Sequence, residues 1–539
     1  MASSSNKLFF LLLTIFFSNT CAVHSSNTST EFHAKLSSLG SFCRTTPYPE
    51  VCYNSLKLSI SINISPNIIT YLLQSLQVAI SEATKLSILF QNVGQSNIIE
   101  KQRGAVQDCR ELHQSTLASL KRSLSTIRSQ NSRNLVDARA YLSAALTNKN
   151  TCLEGLDSAS GTLKPVLVNS VINTYKHVSN SLSVLSKPGV KVPKGHKNRR
   201  LMSAPTWSPS REHDLLQSLD GEEYNPNEVL VVAADGTGNF SSITEAINYA
   251  PNNSVDRTVI YVKRGIYEEY VEIPSSKTNM VMLGDGSDVT VITGNRSVVD
   301  GWTTFRSATL AVSGDGFLAR DIAFVNSAGP KKHQAVALRV NADLTAFYRC
   351  AIYGYQDTLY VHSFRQFYRE CDIYGTVDFI FGNAAVVLQE CNIVSRMPLP
   401  GQFTVITAQS RDNPNEDTGI SIQNCSIIAT NDLYSNSSSF KSYLGRPWRV
   451  YSRTVFLESY IGDFIDPKGW TKWSNDQGLH TLYYAEYENY GPGSRTDNRV
   501  EWLGYHLMDY NDAYNFSVSE FISGDAWLES TSFPYDDGI

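Results

Sequence analysis

The segment CAIYGYQDTLY, from Cys350 to Tyr360, is written again as CDIYGTVDFIF from Cys371 to Phe381. The differences Cys371 − Cys350, Ile373 − Ile352, Tyr374 − Tyr353, Gly375 − Gly354 and Asp378 − Asp357 all equal 21. The period continues at Cys391, 20 residues after Cys371, where LQEC echoes YREC. A fixed period of this length in β texture marks a solenoid, each coil stacking short strands on the coil before. The predicted fold is a parallel β-helix, in which equivalent residues of successive coils sit about 4.8 Å apart.

Asp357 and Asp378 are then stacked neighbours. Gln334, in HQAVALRV, precedes Gln356 by 22 residues and lies about one coil upstream, so two amides and two carboxylates converge on one patch. Carboxylates this close resist ionising together, and one holding its proton beside an anion suits an acid and a nucleophile. Neutral amides can donate hydrogen bonds to a developing oxyanion without adding a titrating charge. Polar ladders also decorate solenoids for structural reasons, so spacing alone leaves both uses open. Cys350 and Cys371 stack by the same arithmetic, at a separation compatible with a disulfide clamping the two coils.

At 539 residues the chain exceeds the usual size of one domain, and its texture changes part-way. Between Leu72 and Leu185 apolar residues such as Leu117, Leu120, Leu124 and Ile127 recur every three or four positions, which is helical spacing. The pattern predicts four amphipathic helices near 68–93, 100–128, 133–155 and 163–186, packed as an all-α four-helix bundle. Cys109 and Cys152 fall on different helices and can staple them. From Val229 onward, runs such as VLVVAA, RTVIYV and VTVITG alternate with turn residues, which is β texture. The stretch KPGVKVPKGHKNRRLMSAPTWSPS between the halves is basic, contains proline, lacks periodicity and reads as an exposed linker.

Residues 1–202 hold 22 Lys/Arg and 9 Asp/Glu (+13), and residues 203–539 hold 24 and 42 (−18), although the whole chain carries only −5. Opposite charges of this size favour docking of the two halves. At the N-terminus, Lys7 precedes an apolar run from Leu8 to Phe17 and then small residues, the pattern of a cleaved secretory signal over 1–23. That run is short of the roughly 20 residues that span a bilayer. Export suits the remaining eight cysteines, an even number open to disulfide pairing, and the sequons at Asn63, Asn295, Asn424 and Asn515.

GYQDTLY at 354–360, YGTVDFIFGNA at 374–384, HQAVALRV at 333–340 and YLGRPWRVYSRTVF at 443–456 resemble, in order, the signature segments of plant pectin methylesterases. The helical half, with AVQDCREL and YLSAALTNKNTCLEGL, resembles the inhibitor-type pro-region often fused to them. The resemblance implies a signal at 1–23, a helical pro-domain over 30–187, a linker over 188–225 and a right-handed parallel β-helix catalytic domain over 226–530. The implied activity is demethylation of cell-wall homogalacturonan. Carried over, Asp378 is the nucleophile, Asp357 the proton donor and later base, and Gln334 and Gln356 the oxyanion donors. Arg446 orients Asp378 and contacts substrate with Gln334, while Thr304 and Trp448 also touch the sugar chain. Arg199-Arg200-Leu201-Met202 resembles a processing site for a subtilisin-like protease. The expected partners are methyl-esterified pectin, the chain's own pro-domain and separate inhibitor proteins, with no nucleic acid, no metal, no cofactor and no membrane anchor in the mature, wall-resident form. His333 and His362 have positional rather than catalytic roles in this reading. An acidic catalytic half should also repel de-esterified, polyanionic pectin.

Rival chemistries fit less well. A glycosidase needs an acid and base flanking the glycosidic bond, and a lyase-type calcium site wants more carboxylates. The chain has no G-x-S-x-G for a serine esterase and no H-E-x-x-H for zinc. A non-enzymatic wall-binding solenoid is separated from all of these by a methanol-release assay.

Overall fold

The computed structural model describes residues 36–60, 68–92, 98–128, 132–187 and 229–539. The leader, the linker with Arg199-Arg200-Leu201-Met202 and the Asn63 sequon lie outside the described residues. Asn295, Asn424 and Asn515 are exposed. Among the described residues no helix is long and apolar enough to cross a membrane.

The N-terminal half consists of α1 (Pro49–Ile60), α2 (Ile68–Asn92), α3 (Ala105–Arg128), α4 (Ser132–Asp157) and α5 (Lys164–Leu185), preceded by a helical segment over 36–43. The last four are the predicted bundle. Their stripes, including Leu72, Leu76 and Ala79 of α2, Leu120 of α3, Leu142 and Leu146 of α4 and Val178 and Leu182 of α5, form one buried cluster. Helix α3 starts at Ala105 rather than near 100 because Gly104 takes φ 91°, a left-handed value that ends helical continuity on its N-terminal side. The 36–43 segment and α1 were not anticipated, being too short to display an amphipathic period; the Cys43–Cys52 disulfide joins them. Cys109–Cys152 staples α3 to α4.

The C-terminal half is a right-handed parallel β-helix whose coils build sheets of eleven, eight and seven strands. The seven-stranded sheet comprises β1 (Val271–Ile273), β2 (Leu310–Val312), β3 (Leu338–Val340), β4 (Leu359–Val361), β5 (Ile380–Gly382), β6 (Thr404–Gln409) and β7 (Ser442–Gly445), stacked in chain order. Leu359 pairs with Ile380 and Tyr360 with Phe381, so the 21-residue offset in the sequence is the ladder register itself. Inside, Ile352, Ile373, Ile393 and Ile427 stack as a continuous column. The main core of this half draws only on residues from Val232 onward, and the bundle has its own.

At one corner of successive coils Arg349, Glu370, Glu390, Asn424 and Glu458 adopt φ of 48–54°. These left-handed turns persist because each residue's N–H is held by a carbonyl one coil along, as from Arg349 to Arg369 and from Glu370 to Gln389. Cys350, Cys371, Cys391 and Cys425 follow the first four of these corners and point into the core. The expected Cys350–Cys371 disulfide is not formed: all four cysteines are free and buried. In-register positions of parallel strands aim their Cβ atoms the same way at the strand spacing of about 4.8 Å, whereas a bridge wants Cβ atoms about 3.8 Å apart and converging. The thiols instead accept from the preceding coil's amide or meet nearby carbonyls, as Cys391 Sγ accepts from the Cys371 N–H at 3.4 Å. Thiol alkylation in denaturant without reductant should therefore label Cys350, Cys371, Cys391 and Cys425, and leave Cys43, Cys52, Cys109 and Cys152 blocked. Labelling of only two of the first four would restore a bridge.

Helices α3 and α4 lie against the outer face of the seven-stranded sheet. Leu112 of α3 packs among Phe305, Ala311, Tyr360 and Phe381. Thr147 of α4 accepts from Asn383 at 2.8 Å, and Thr151 lies 3.0 Å from His362. A second seam is made where Asn413 donates to Ser179 of α5 at 2.9 Å and the Asp417 N–H donates to Ser143 of α4 at 3.1 Å.

Candidate active site

Asp357 and Asp378 occupy equivalent places just before β4 and β5, both with left-handed backbones, φ 62° and 52°. Aspartate is among the side chains that tolerate this region, and coil-to-coil bonding holds it, the Asp357 N–H donating to the Val377 carbonyl at 3.0 Å. The repeated glycine three residues upstream is required by space: a Cβ at Gly375 would meet the Phe379 Cβ at 2.1 Å, and one at Gly354 would meet Thr358 Oγ1 at 2.6 Å.

Arg446, just past β7, forks onto Asp378, with Nε to Oδ1 at 2.8 Å and Nη2 to Oδ2 at 2.6 Å. Both carboxyls are buried. Burial pushes Asp357 well above the usual carboxylate range, with the charge of Asp378 adding to the push. Burial also raises Asp378, but the Arg446 hydrogen bonds and charge oppose it. The expectation that one carboxyl stays low is thus corrected for Asp378, whose burial outweighs its arginine. The order holds: Asp357 keeps its proton to higher pH than Asp378.

Thr304, Gln334, Gln356, Asp357, Asp378, Arg446 and Trp448 all line one cavity of about 330 Å³, so the structure gathers the side chains expected to act on or touch substrate from five separate coils. Four aromatic lining residues were missed. Tyr360 stacks on Phe381 with centroids 4.2 Å apart, Phe381 leads to Trp448 at 6.0 Å, and Trp448 stacks on Trp473 at 6.2 Å; Phe305 meets Tyr360 edge-on at 6.5 Å and also lines the cavity. Tyr360 and Phe381 are 21 residues apart, so the arithmetic that found the aspartates also marks them. Trp473 comes from outside the ladder and carries no such signal. His362 is buried against Thr151 and Ser363, and burial pushes it well below its ordinary range, so it stays neutral. A cavity with two carboxyls of unequal proton affinity, two amides and an aromatic wall can attack, protonate and stack against a polar ring.

The pectinesterase family model matches residues 229–525, more than half of the chain. The chain belongs to the pectinesterase family. A second model, plant invertase/pectin methylesterase inhibitor, matches residues 37–184. Probable pectinesterase/pectinesterase inhibitor 12 of Arabidopsis thaliana is 63% identical over 549 residues, covering 100% of both chains. Pectinesterase 2 of Citrus sinensis is 45% identical over 93% of this chain and 94% of its own. Among solved structures, the pectin methylesterase from carrot is 52% identical with a TM-score of 0.58, and covers 59% of this chain and 100% of that chain. The protein is therefore a carboxylic ester hydrolase carrying an inhibitor-like domain.

In this pectinesterase the inhibitor-like bundle completes the cavity wall with Gln102, Asp108, Thr151, Glu154 and Gly155. The ion pairs across the contact run against the net charges. From the bundle, Asp108 and Glu111 each lie 2.6 Å from Arg306, Asp137 lies 2.8 Å from Arg365, and Glu154 pairs with Arg449. Among the described residues, only Arg122 to Asp315 and Arg139 to Asp417, the latter at 3.4 Å, run in the expected sense. The net charges of +13 and −18 thus did not anticipate the docking face: a local basic rim on an acidic half meets local acids on a basic one.

Proposed function

We propose that this pectinesterase hydrolyses methyl esters of homogalacturonan in the plant cell wall, using Asp378 as nucleophile and Asp357 as acid and then base. The observation that carries this reading is the Arg446 fork on Asp378 beside a more proton-retentive Asp357 in one cavity. A carboxylate oxygen of Asp378 attacks the ester carbonyl carbon, and the electron pair moves to the carbonyl oxygen, which Gln334 and Gln356 stabilise by amide N–H donation. Collapse breaks the bond to the methoxy oxygen, which leaves as methanol with the proton of Asp357. Asp357, now a carboxylate, takes a proton from water as that water attacks the acyl-enzyme. This releases the free uronate and regenerates Asp378. Trp448, Trp473, Tyr360 and Phe381 offer apolar faces to the sugar rings, and Thr304 a hydroxyl.

The bundle is proposed to be autoinhibitory, with cleavage near Arg199-Arg200-Leu201-Met202 by a secretory-pathway protease exposing the cleft. Methanol release from methylated pectin tests the reaction: unsaturated products would instead indicate a lyase and new reducing ends a glycosidase. Gln334→Ala and Gln356→Ala should each lower kcat by about 10²–10³. A change confined to KM would make that amide a binding group instead.

A further inference from the structure

Arg306 and Arg449 stand on opposite sides of the aspartate pair. Arg306 follows Thr304 and Phe305 in the short turn before β2, and Arg449 follows Trp448 in the turn after β7. Two coil steps separate β2 from β4, which follows Asp357, and two separate β5, which follows Asp378, from β7. Each arginine is therefore roughly 10 Å along the axis from its nearer aspartate, at about 4.8 Å per coil. Between them lie the aromatic wall and the cavity.

Both guanidiniums hold carboxylates that the β-helix does not supply. Asp108 and Glu111 sit on Arg306 and Glu154 on Arg449. From its own half Arg306 has Glu272 at 3.8 Å, and Asp412 acts on Arg449 from beyond ion-pair distance. Asp108 and Glu154 line the same cavity as the aspartate pair. Removing the bundle leaves two arginines with vacated carboxylate sites, in line with a centre that takes one ester of a polymer whose other units carry free acids or esters. A methyl ester cannot accept the forked, charge-assisted hydrogen bonds that a free carboxylate can.

We propose that Arg306 and Arg449 are binding sites for free uronate carboxylates on either side of the ester being hydrolysed, and that Glu111 and Glu154 occupy them in the uncleaved chain as mimics of those carboxylates. This rests on the pectinesterase reading above. It gives the enzyme a preference for esters flanked by free acids, and it makes the product a ligand despite the charge of −18 on residues 203–539. Local charge within a Debye length outweighs distant charge, so the repulsion expected from the net charge is reversed at the cleft.

The test uses residues 203–539, whose core is its own, with Arg306→Gln and Arg449→Gln. Calorimetry with a fully de-esterified galacturonate hexamer should give a Kd that weakens as salt rises, and weakens about tenfold in each variant. Methanol release from partly de-esterified over fully methylated hexamers should favour the former in the parent and lose about tenfold of that preference in each variant. Arg306→Lys should recover part of the affinity. Unchanged Kd and unchanged preference in both folded variants would overturn the proposal. Should a variant fail to fold, the parent chain cut within 188–228 still decides it. The de-esterified hexamer should displace the bundle from the β-helix and the methylated hexamer should not, and equal displacement by both overturns the proposal. A parent that binds the de-esterified hexamer through these arginines yet releases no methanol would sink the esterase reading alone.

Discussion

Asp378→Asn should abolish methanol release, by about 10⁴-fold or more, because the acyl-enzyme cannot form without the carboxylate nucleophile. Asp357→Asn should cost about 10²–10⁴-fold, the usual worth of a positioned acid–base group. The two variants separate further in stability. Asp357 is buried and retains its proton well above the usual range, so an amide replaces a neutral carboxyl and the melting temperature should hold. Asp378→Asn strips the counter-ion from Arg446, whose side chain is 18% exposed, and should cost about 1–3 kcal/mol. In the parent β-helix, kcat/KM should rise with pH as Asp378 ionises and fall at higher pH as Asp357 loses its proton. Retained activity in either variant, measured on protein with a cooperative unfolding transition, removes that residue from the mechanism.

The full-length chain with Arg199→Ala and Arg200→Ala should release methanol at least about 10²-fold more slowly than residues 203–539, since a tethered bundle acts at millimolar effective concentration. Leu112 fills the aromatic wall and Asp108 and Glu154 line the cavity, so polymer and bundle cannot occupy it together. The inhibition should depend on pH in a stated direction. Burial raises Asp108, which faces Arg306, Arg339 and Glu111, to about 7, and raises Glu416, which faces Arg411, Lys149 and Asp412, to about 7. Separation of the halves exposes both seams and returns these groups toward their ordinary range near 4. The docked state then binds more protons, so its advantage is complete below that range and is lost as pH climbs toward and through 7. The rate ratio of 203–539 to the uncleavable chain should therefore fall on the order of tenfold or more from pH 5 to pH 7.5. Asp108→Asn in the uncleavable chain should flatten that trend. Full activity of the folded uncleavable chain at pH 5 would sink the inhibitory role, and a ratio that rises with pH would sink the protonation argument.

A period of 21 residues settles a great deal before any coordinates, because a stacked coil permits one register and register turns sequence separation into distance. It places Asp357 on Asp378, brings Gln334 and Gln356 beside them, and marks Tyr360 and Phe381 had it been read for aromatics. Helical periodicity likewise locates α2 to α5, since each buries a stripe that only a 3.6-residue repeat can align. What period cannot carry is direction and docking. Cys350 and Cys371 stack as the arithmetic requires, yet their side chains run parallel and stay unbridged. Trp473 reaches the site from outside the repeat, where no register constrains it. Net charge is a sum over a whole surface, while docking is decided by the few groups that lose water at the contact. The sequence by itself therefore determined the coil, the stacked carboxylates and the bundle. Only the tertiary structure decided that a basic half presents its acids to an acidic half's arginines, because which face of each is buried depends on packing between segments that share no period.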